Sequence, residues 1–596
     1  MQLINHKNPA LTTCERLFIE KSLELLHLGS IDSYRVRFHN PKSVLAEIKY
    51  CLEQFQAGRI KHFHTIKAKE KDKKAHIDEA IALLEQTPNY LTFSSISKEY
   101  VKQLLLKADE HNYKKVISAI DLLMKDNHNY VLTVFGGLEA LLAANDVNLP
   151  ELEKMDVTLD ILFSELISQG FSKGFLYKQV YGFFVNSLSA TSRFADHFRS
   201  FKSKLLQQRS TYEVVFRIDT TPKVYEAISV IPSDQLTLTD NIDEIHFTGR
   251  TVAELNHFNV HSAGRKFIRC TTEAADYLTA LKRARSILSE YLDVINLGLS
   301  GEALNIHNRA LVIDSRAPQN GQFQNNINIL DGKYRVEKEY YRSFTLKLPT
   351  ILNSPNVEGE TKEKIKSAIR YLRLGNQSTE VEHKFINYWI GLEYLFSNYE
   401  SQNTINRLKD HFINAHALAY VKRNLYSFKH DFARIATRHS GAITAYTPGN
   451  YECLKNEVFY TEVGNQLLNT FPLLAYRSLK LRKWLFQANK PANATDYLKK
   501  HRSNLEIHFT RIYRLRNEII HDAATNTNNE HIASNLRYYL TFILNELIDF
   551  FSRNIGRPIS IEDYFIRNEI ELGNIEQGGY LLEQLLSVDC SIEFIS

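Results

Sequence analysis

The stretch Arg511-Ile512-Tyr513-Arg514-Leu515-Arg516-Asn517-Glu518-Ile519-Ile520-His521-Asp522 decides how the C-terminal third of this 596-residue chain reads. Ile512, Leu515 and Ile519 recur at helical spacing, so one face can meet a core. Asn517 and His521 stand one turn apart and share a face. Arg516 lies about 100° round the helix from Asn517, with a side chain long enough to reach the same edge. A guanidinium, an amide and an imidazole therefore crowd one rim. His521 falls near the helix C-terminus, where the polar run Ala523 to Asn529 is expected to end the helix and where an imidazolium is modestly favoured.

These residue types suit RNA cleavage without a metal. The 2′-OH attacks the adjacent phosphate while a histidine moves the proton, its pKa lying near neutrality. An arginine holds the phosphate through two parallel hydrogen bonds and stabilises the extra transition-state charge. The amide orients either group. One such set is too few for complete acid–base work, whereas two sets across a twofold axis suffice, which favours a symmetric dimer. A non-catalytic account also exists: Arg516 pairing with Glu518 or Asp522, and His521 capping the last turn.

Outward from this string, helices are expected at 361–374, 381–399, 404–420, 464–488, 497–521 and 530–553. Ser440 to Asn450 reads as a loop, and the turn-rich Asn353 to Gly359 as a domain boundary. Residues 361–555 hold 27 Lys and Arg against 17 Asp and Glu, residues 1–360 hold 44 against 43, and residues 556–596 hold 2 against 8. The positive excess thus sits in one block, which favours a polyanion such as nucleic acid, or is simply a basic solvated surface.

The first 205 residues read as mostly helical, opened by a capping-box pattern at Thr12 and Glu15 and a stop at Gly29. Further helices are expected at Val44–Phe55, His76–Glu85, Lys98–Ala108 and Lys115–Met124. Lys67 to Lys74 is a charged run with interleaved acids. Between 206 and 355 the texture turns mixed. Tyr212–Asp219, Ala227–Ile231, Lys266–Cys270, Ala310–Ile313 and Tyr334–Leu348 read as strands, and Glu273–Ile295 as a long amphipathic helix.

The remaining features mostly exclude. Composition is ordinary for a globular chain, with 44% hydrophobic and 24% charged residues. The longest apolar run, Tyr130 to Ala144, contains Glu139 and falls short of the roughly 20 residues a membrane span needs. No signal peptide is read at the N-terminus. Five dispersed cysteines, the nearest pair being Cys14 and Cys51, suggest a reducing compartment without a thiolate metal site. No phosphate-binding loop, dinucleotide fingerprint, HExxH or GxSxG is found. His62 and His64 lack a carboxylate or thiolate to complete a metal shell.

The Arg516-Asn517-x3-His521 string resembles the Arg-x4–6-His motif of the HEPN superfamily in its common Arg-Asn-x3-His form. The loose motif also fits Arg59/His64, Arg250/His257, Arg434/His439 and Arg502/His508, and Arg423-Asn424 with His430 at longer spacing is the runner-up. Upstream, Phe385-Ile386-Asn387-Tyr388-Trp389-Ile390-Gly391-Leu392-Glu393 resembles the Trp-x-x-x-Glu first-helix pattern of ApeA-like members. The resemblance covers residues 361–555. It implies a C-terminal HEPN-like helical bundle in a mainly α chain with a smaller α/β middle region. It also implies dimerisation, and endoribonuclease activity toward RNA, tRNA included, of the type used in anti-phage abortive infection.

Carried over, Arg516 and His521 are catalytic and Asn517 assists them. Glu393 and Glu518 are supporting candidates, and neither metal nor cofactor is called for. Trp389 reads as core, in one apolar stripe with Phe385, Leu392 and Phe396. The expected plan is a helical region 1–205, a mixed α/β region 206–355 serving as sensor, a bundle 361–555 and an acidic segment 556–596. The site is expected in the cytoplasm, with RNA, a second copy and a phage-derived trigger as partners and no membrane. The alternative is a non-catalytic scaffold whose bundle only dimerises. A metal-dependent nuclease in 206–355 is a third reading.

Overall fold

The computed structural model describes residues 4, 6–27, 39–58, 75–87, 96–109, 111–125, 130–144, 147–229, 233–239, 242, 250–258, 265–298, 305–325, 327, 338–378, 380–398, 404–436, 443, 446, 449, 451–522 and 530–591. The chain is mainly helical, with one five-stranded antiparallel sheet in its middle. Among the described residues no helix is long and apolar enough to cross a membrane. His62, His64, the run Lys67 to Lys74, Gly29, most of the 440–450 loop and Ala523 to Asn529 lie outside the described residues.

The N-terminal helices form where capping and periodicity place them. Thr12 accepts from the Glu15 backbone while the Glu15 carboxylate takes the Thr12 N–H, opening helix Thr13–Leu26. Helix Pro41–Gln56 starts the same way on Asn40 and Ser43. The apolar faces of these helices and of Leu149–Ser168 share one core. At its centre Phe18 meets Phe184, Phe194, Phe198 and Phe201 edge-on, with centroids 5.1 to 6.3 Å apart.

Five strands follow: β1 (Ser210–Asp219), β2 (Leu236–Thr239), β3 (Arg265–Ala274), β4 (Asn305–Asp314) and β5 (Gln322–Gln324), in the spatial order β2-β3-β1-β4-β5. Alternation sorts β1 between two faces. Val214, Phe216 and Ile218 join the N-terminal core, while Val215 packs with Leu255, Phe258, Phe267 and Leu311 opposite. Asp276, fully buried, opens helix Tyr277–Gly298 by accepting from the Leu278 and Thr279 backbones. It also takes the Ser172 N–H at 2.6 Å, tying sheet to helices.

Two expected strands are helices instead. Ala227–Ile231 overlaps helix Pro222–Ser229, in which Val224 and Ile228, one turn apart, are the buried pair. The described part of Tyr334–Leu348 belongs to helix Lys338–Asn353. The alternation Phe344, Leu346, Leu348 reads as a strand, yet Leu346 is 68% exposed. Phe344, Leu348 and Ile351, at helical spacing, face the C-terminal core. The expected helix 464–488 is split, because Pro472 starts a second helix, Pro472–Leu485, after Glu457–Leu467.

The C-terminal bundle comprises Gly359–Gln377, Val381–Phe396, Thr404–Ala436, Thr495–Asp522 and Glu530–Asn554, with helix Lys338–Asn353 laid on it. Gly375 allows close approach: a Cβ there would lie 2.3 Å from the Tyr388 ring. The described part of the acidic segment, residues 556–591, is not an appendage. Phe565 of helix Ile561–Gln577 stacks on Phe396 at 4.9 Å, and Val357 bridges Ile559.

Because Phe18 sits at the centre of the aromatic cluster, Phe18→Ala is expected to destabilise the N-terminal core by about 3–5 kcal/mol. A lowered denaturant midpoint read by circular dichroism checks this.

Candidate functional site

The motif string is the last three turns of one continuous helix, Thr495–Asp522. Its apolar face is spent on packing: Ile512 and Leu515 are buried in the bundle core and Ile519 is half-buried against it. Its three arginines meet different fates.

Arg511 is 3% exposed and faces two carboxylates of the N-terminal half. Its Nε and Nη2 donate to Glu47 at 3.0 and 2.7 Å, and Nη2 donates to Glu79 at 2.5 Å. Arg514 donates to Glu47 Oε1 at 2.5 Å and lies 3.6 Å from Glu518. Its Nη1 is 3.1 Å from Cys51 Sγ and 3.3 Å from His76 Nε2. Glu47 and Cys51 come from helix Pro41–Gln56, and His76 and Glu79 from Ala75–Gln86. Burial alone would raise the Glu47 carboxyl, but the two guanidiniums hold it well below the ordinary range. Burial lowers His76 to about 4, so it is a neutral acceptor toward Arg514, and burial pushes the Cys51 thiol up.

Arg516 differs. Its Nη1 donates to Asn517 Oδ1 at 3.0 Å. Among the described residues its buried Nε finds no hydrogen-bond partner and Arg516 meets no carboxylate. Glu518, expected as a supporting group, is turned to Arg514. Arg516 and Asn517 are thus brought together, and His521 lies on the same helix one turn beyond Asn517. The His521 side chain lies outside the described residues.

Glu393 accepts the indole N–H of Trp389 at 2.8 Å. Trp389 is buried, as its stripe predicted, and its ring lies 6.1 Å from Tyr513 on the motif helix. Glu393 therefore holds a core tryptophan that packs one turn ahead of Arg516. The runner-up pair is divided. Arg423 is buried with its guanidinium 4.9 Å from the Phe542 ring, beside Glu546, whereas His430 is exposed. Burial raises the Glu546 carboxyl to about 7 despite that arginine.

Sequence reasoning missed Glu47, Cys51, His76 and Glu79. Each is an ordinary residue of an amphipathic helix more than 430 positions from its partner, and no local pattern marks it. Among the described residues no group of three or more His, Cys, Asp or Glu side chains is gathered as a metal site would need. Comparisons with protein families, with curated proteins and with solved structures gave no match.

Removing one partner of a buried ion pair leaves the other charge uncompensated, so Glu47→Ala is expected to cost about 3–5 kcal/mol. The pH dependence has a defined sign. A histidine depressed in the fold contributes stability above its unfolded pKa of about 6.5, lost as pH falls toward about 4. Glu47, also depressed, adds a further loss below the ordinary glutamate range. His76→Gln should remove its own share of the loss between those two pH values, burial depressing His411, His416 and His501 as well, read as the pH dependence of the urea midpoint against the parent protein.

Proposed function

We propose that this chain is an endoribonuclease of HEPN type, cutting RNA without a metal through Arg516, Asn517 and His521. The observation that carries the reading is the unequal treatment of three arginines on one helix. Arg511 and Arg514 are neutralised by carboxylates, whereas Arg516 is held by an amide and faces none among the described residues. An arginine kept free of carboxylates retains its charge for a phosphate.

In the proposed reaction the RNA 2′-oxygen attacks the adjacent phosphorus and the 5′-oxygen leaves, giving a 2′,3′-cyclic phosphate and a 5′-hydroxyl. Arg516 binds the non-bridging oxygens and stabilises the charge that grows on them. Asn517, accepting from Arg516 Nη1, holds the guanidinium in one orientation. His521 removes the 2′ proton or returns one to the leaving oxygen, and the second role falls to its counterpart in a twofold-related copy. tRNA is the proposed substrate class, and growth arrest on infection the proposed setting.

The N-terminal half is proposed to govern this helix. Glu47 and Glu79 grip it at Arg511 and Arg514, within a turn and a half before Arg516, so a movement of helices Pro41–Gln56 or Ala75–Gln86 on sensing a trigger would shift the motif itself. The scaffold reading has an observation of its own: the same grip builds the motif helix into the interior, as a purely structural element would be.

Incubation of purified protein with tRNA in excess EDTA separates the two readings. Cleavage leaving cyclic phosphate ends is expected, falling roughly 10²–10⁴-fold in His521→Ala and 10²–10³-fold in Arg516→Ala. RNA binding without cutting would leave the scaffold. For the regulatory part, Glu47→Gln with Glu79→Gln should raise the cleavage rate of the full chain several-fold at a temperature where it remains folded. An unchanged rate would dismiss control through this grip.

A further inference from the structure

Residues 588–591 lie against the C-terminal bundle without belonging to any of its helices. Val588, Cys590 and Ser591 are buried, and Asp589 between them is exposed. Among the described residues no backbone-to-backbone hydrogen bond ties this segment down. Side chains hold it instead. Lys422 of helix Thr404–Ala436 donates to the Val588 carbonyl at 2.6 Å, and Asn545 of helix Glu530–Asn554 donates to the Ser591 hydroxyl at 2.9 Å. Arg553 and Arg567 pair with Asp589 at the surface. The Ser591 N–H donates to the Glu546 carboxyl, at 3.2 and 3.4 Å from its two oxygens.

Glu546 is 6% exposed. A cavity of about 20 Å³, room for one water, adjoins it, and Val588, Asp589 and Cys590 line that cavity together with Glu546, Arg567 and Asn568. The segment is thus part of the wall between the carboxyl and solvent. Burial disfavours the carboxylate most; Arg423, the Ser591 N–H and Arg553 favour it, Asp549 opposes it, and the balance lifts the carboxyl to about 7. Asp549 is itself paired with Lys347 at 2.9 Å and with Arg553 at 3.7 Å. Tyr564 of helix Ile561–Gln577 and Cys590 of the segment face the same carboxyl, and burial pushes both up, Cys590 to about 12. Neither of them therefore competes with Glu546 for a change of charge near neutral pH.

An ionised carboxylate cut off from water gains when water reaches it. We propose that residues 588–591 form a pH-sensitive strap, closed on the bundle while Glu546 is neutral and released as Glu546 ionises. Ionised and covered, Glu546 has one long backbone contact from the strap in place of a hydration shell. Because the covered carboxyl lies above the ordinary glutamate value of about 4.3, the closed form loses stability as pH climbs from there to about 7, and loses little more beyond. The device operates whether or not the chain cuts RNA.

Cys590 reports the strap directly, since its thiol is buried while the segment is closed. Full-length protein and Glu546→Gln, which carries a neutral group of the same shape, are labelled with N-ethylmaleimide across a pH series, and the label on each cysteine is read by mass spectrometry. Dividing the parent's Cys590 rate by the variant's at each pH cancels the ionisation of the thiol itself. That ratio should rise roughly tenfold or more from about pH 5.5 to about pH 8 and then level off. Cys453, buried in the same bundle, should not follow. If Glu546→Gln does not fold, the ratio of Cys590 to Cys453 labelling in the parent protein is read in its place and should rise alike. A flat ratio, or a rise that Cys453 shares, overturns the proposal.

Discussion

Two guanidiniums buried against Glu47 and Glu79 hold the two halves of this chain in one relation. A charge taken out of water costs several kcal/mol even after relaxation, and only close, well-directed partners offset it. Arg511 and Arg514 find such partners only if helices Pro41–Gln56 and Ala75–Gln86 lie against the motif helix in one register. Hydrophobic contact would tolerate small slides here; six hydrogen bonds to two carboxylates do not.

The rest of the interface repeats this logic. The Glu20 carboxylate, buried, accepts from the Leu473 backbone at the start of helix Pro472–Leu485. Asp156 gathers Lys21, Lys480 and the Tyr476 hydroxyl, and the two positive charges hold its carboxyl well below the usual range. Leu473 and Tyr476 themselves complete the N-terminal core. The two cores are therefore joined by polar anchors set in apolar surroundings.

Within the motif, neighbouring arginines on one helix act differently because their surroundings differ. Successive residues are turned by about 100°. Arg511 and Arg514, three apart, point to the N-terminal carboxylates, while Arg516 points away to Asn517. The proposed chemistry depends on that angular separation: the first two positions fix the helix and the last keeps its charge for a phosphate.

Much was legible in the chain itself. The capping box at Thr12, most of the bundle helices, the burial of Trp389 and the strand Tyr212–Asp219 follow from spacing and local hydrogen bonding, which depend on neighbours a few residues away, whereas expected helix 404–420 runs on to Ala436. Phe344 to Leu348 misled because alternation and helical spacing overlap over five residues, and only the core that Ile351 meets chooses between them. The sequence by itself determined that Arg516, Asn517 and His521 share the end of one helix. The tertiary structure alone decided that Arg511 and Arg514 are neutralised, that Glu518 goes to Arg514, and that residues 556–591 of the acidic segment are part of the bundle. Those outcomes rest on charges and rings hundreds of positions apart, whose energies exist only once burial has removed the water between them.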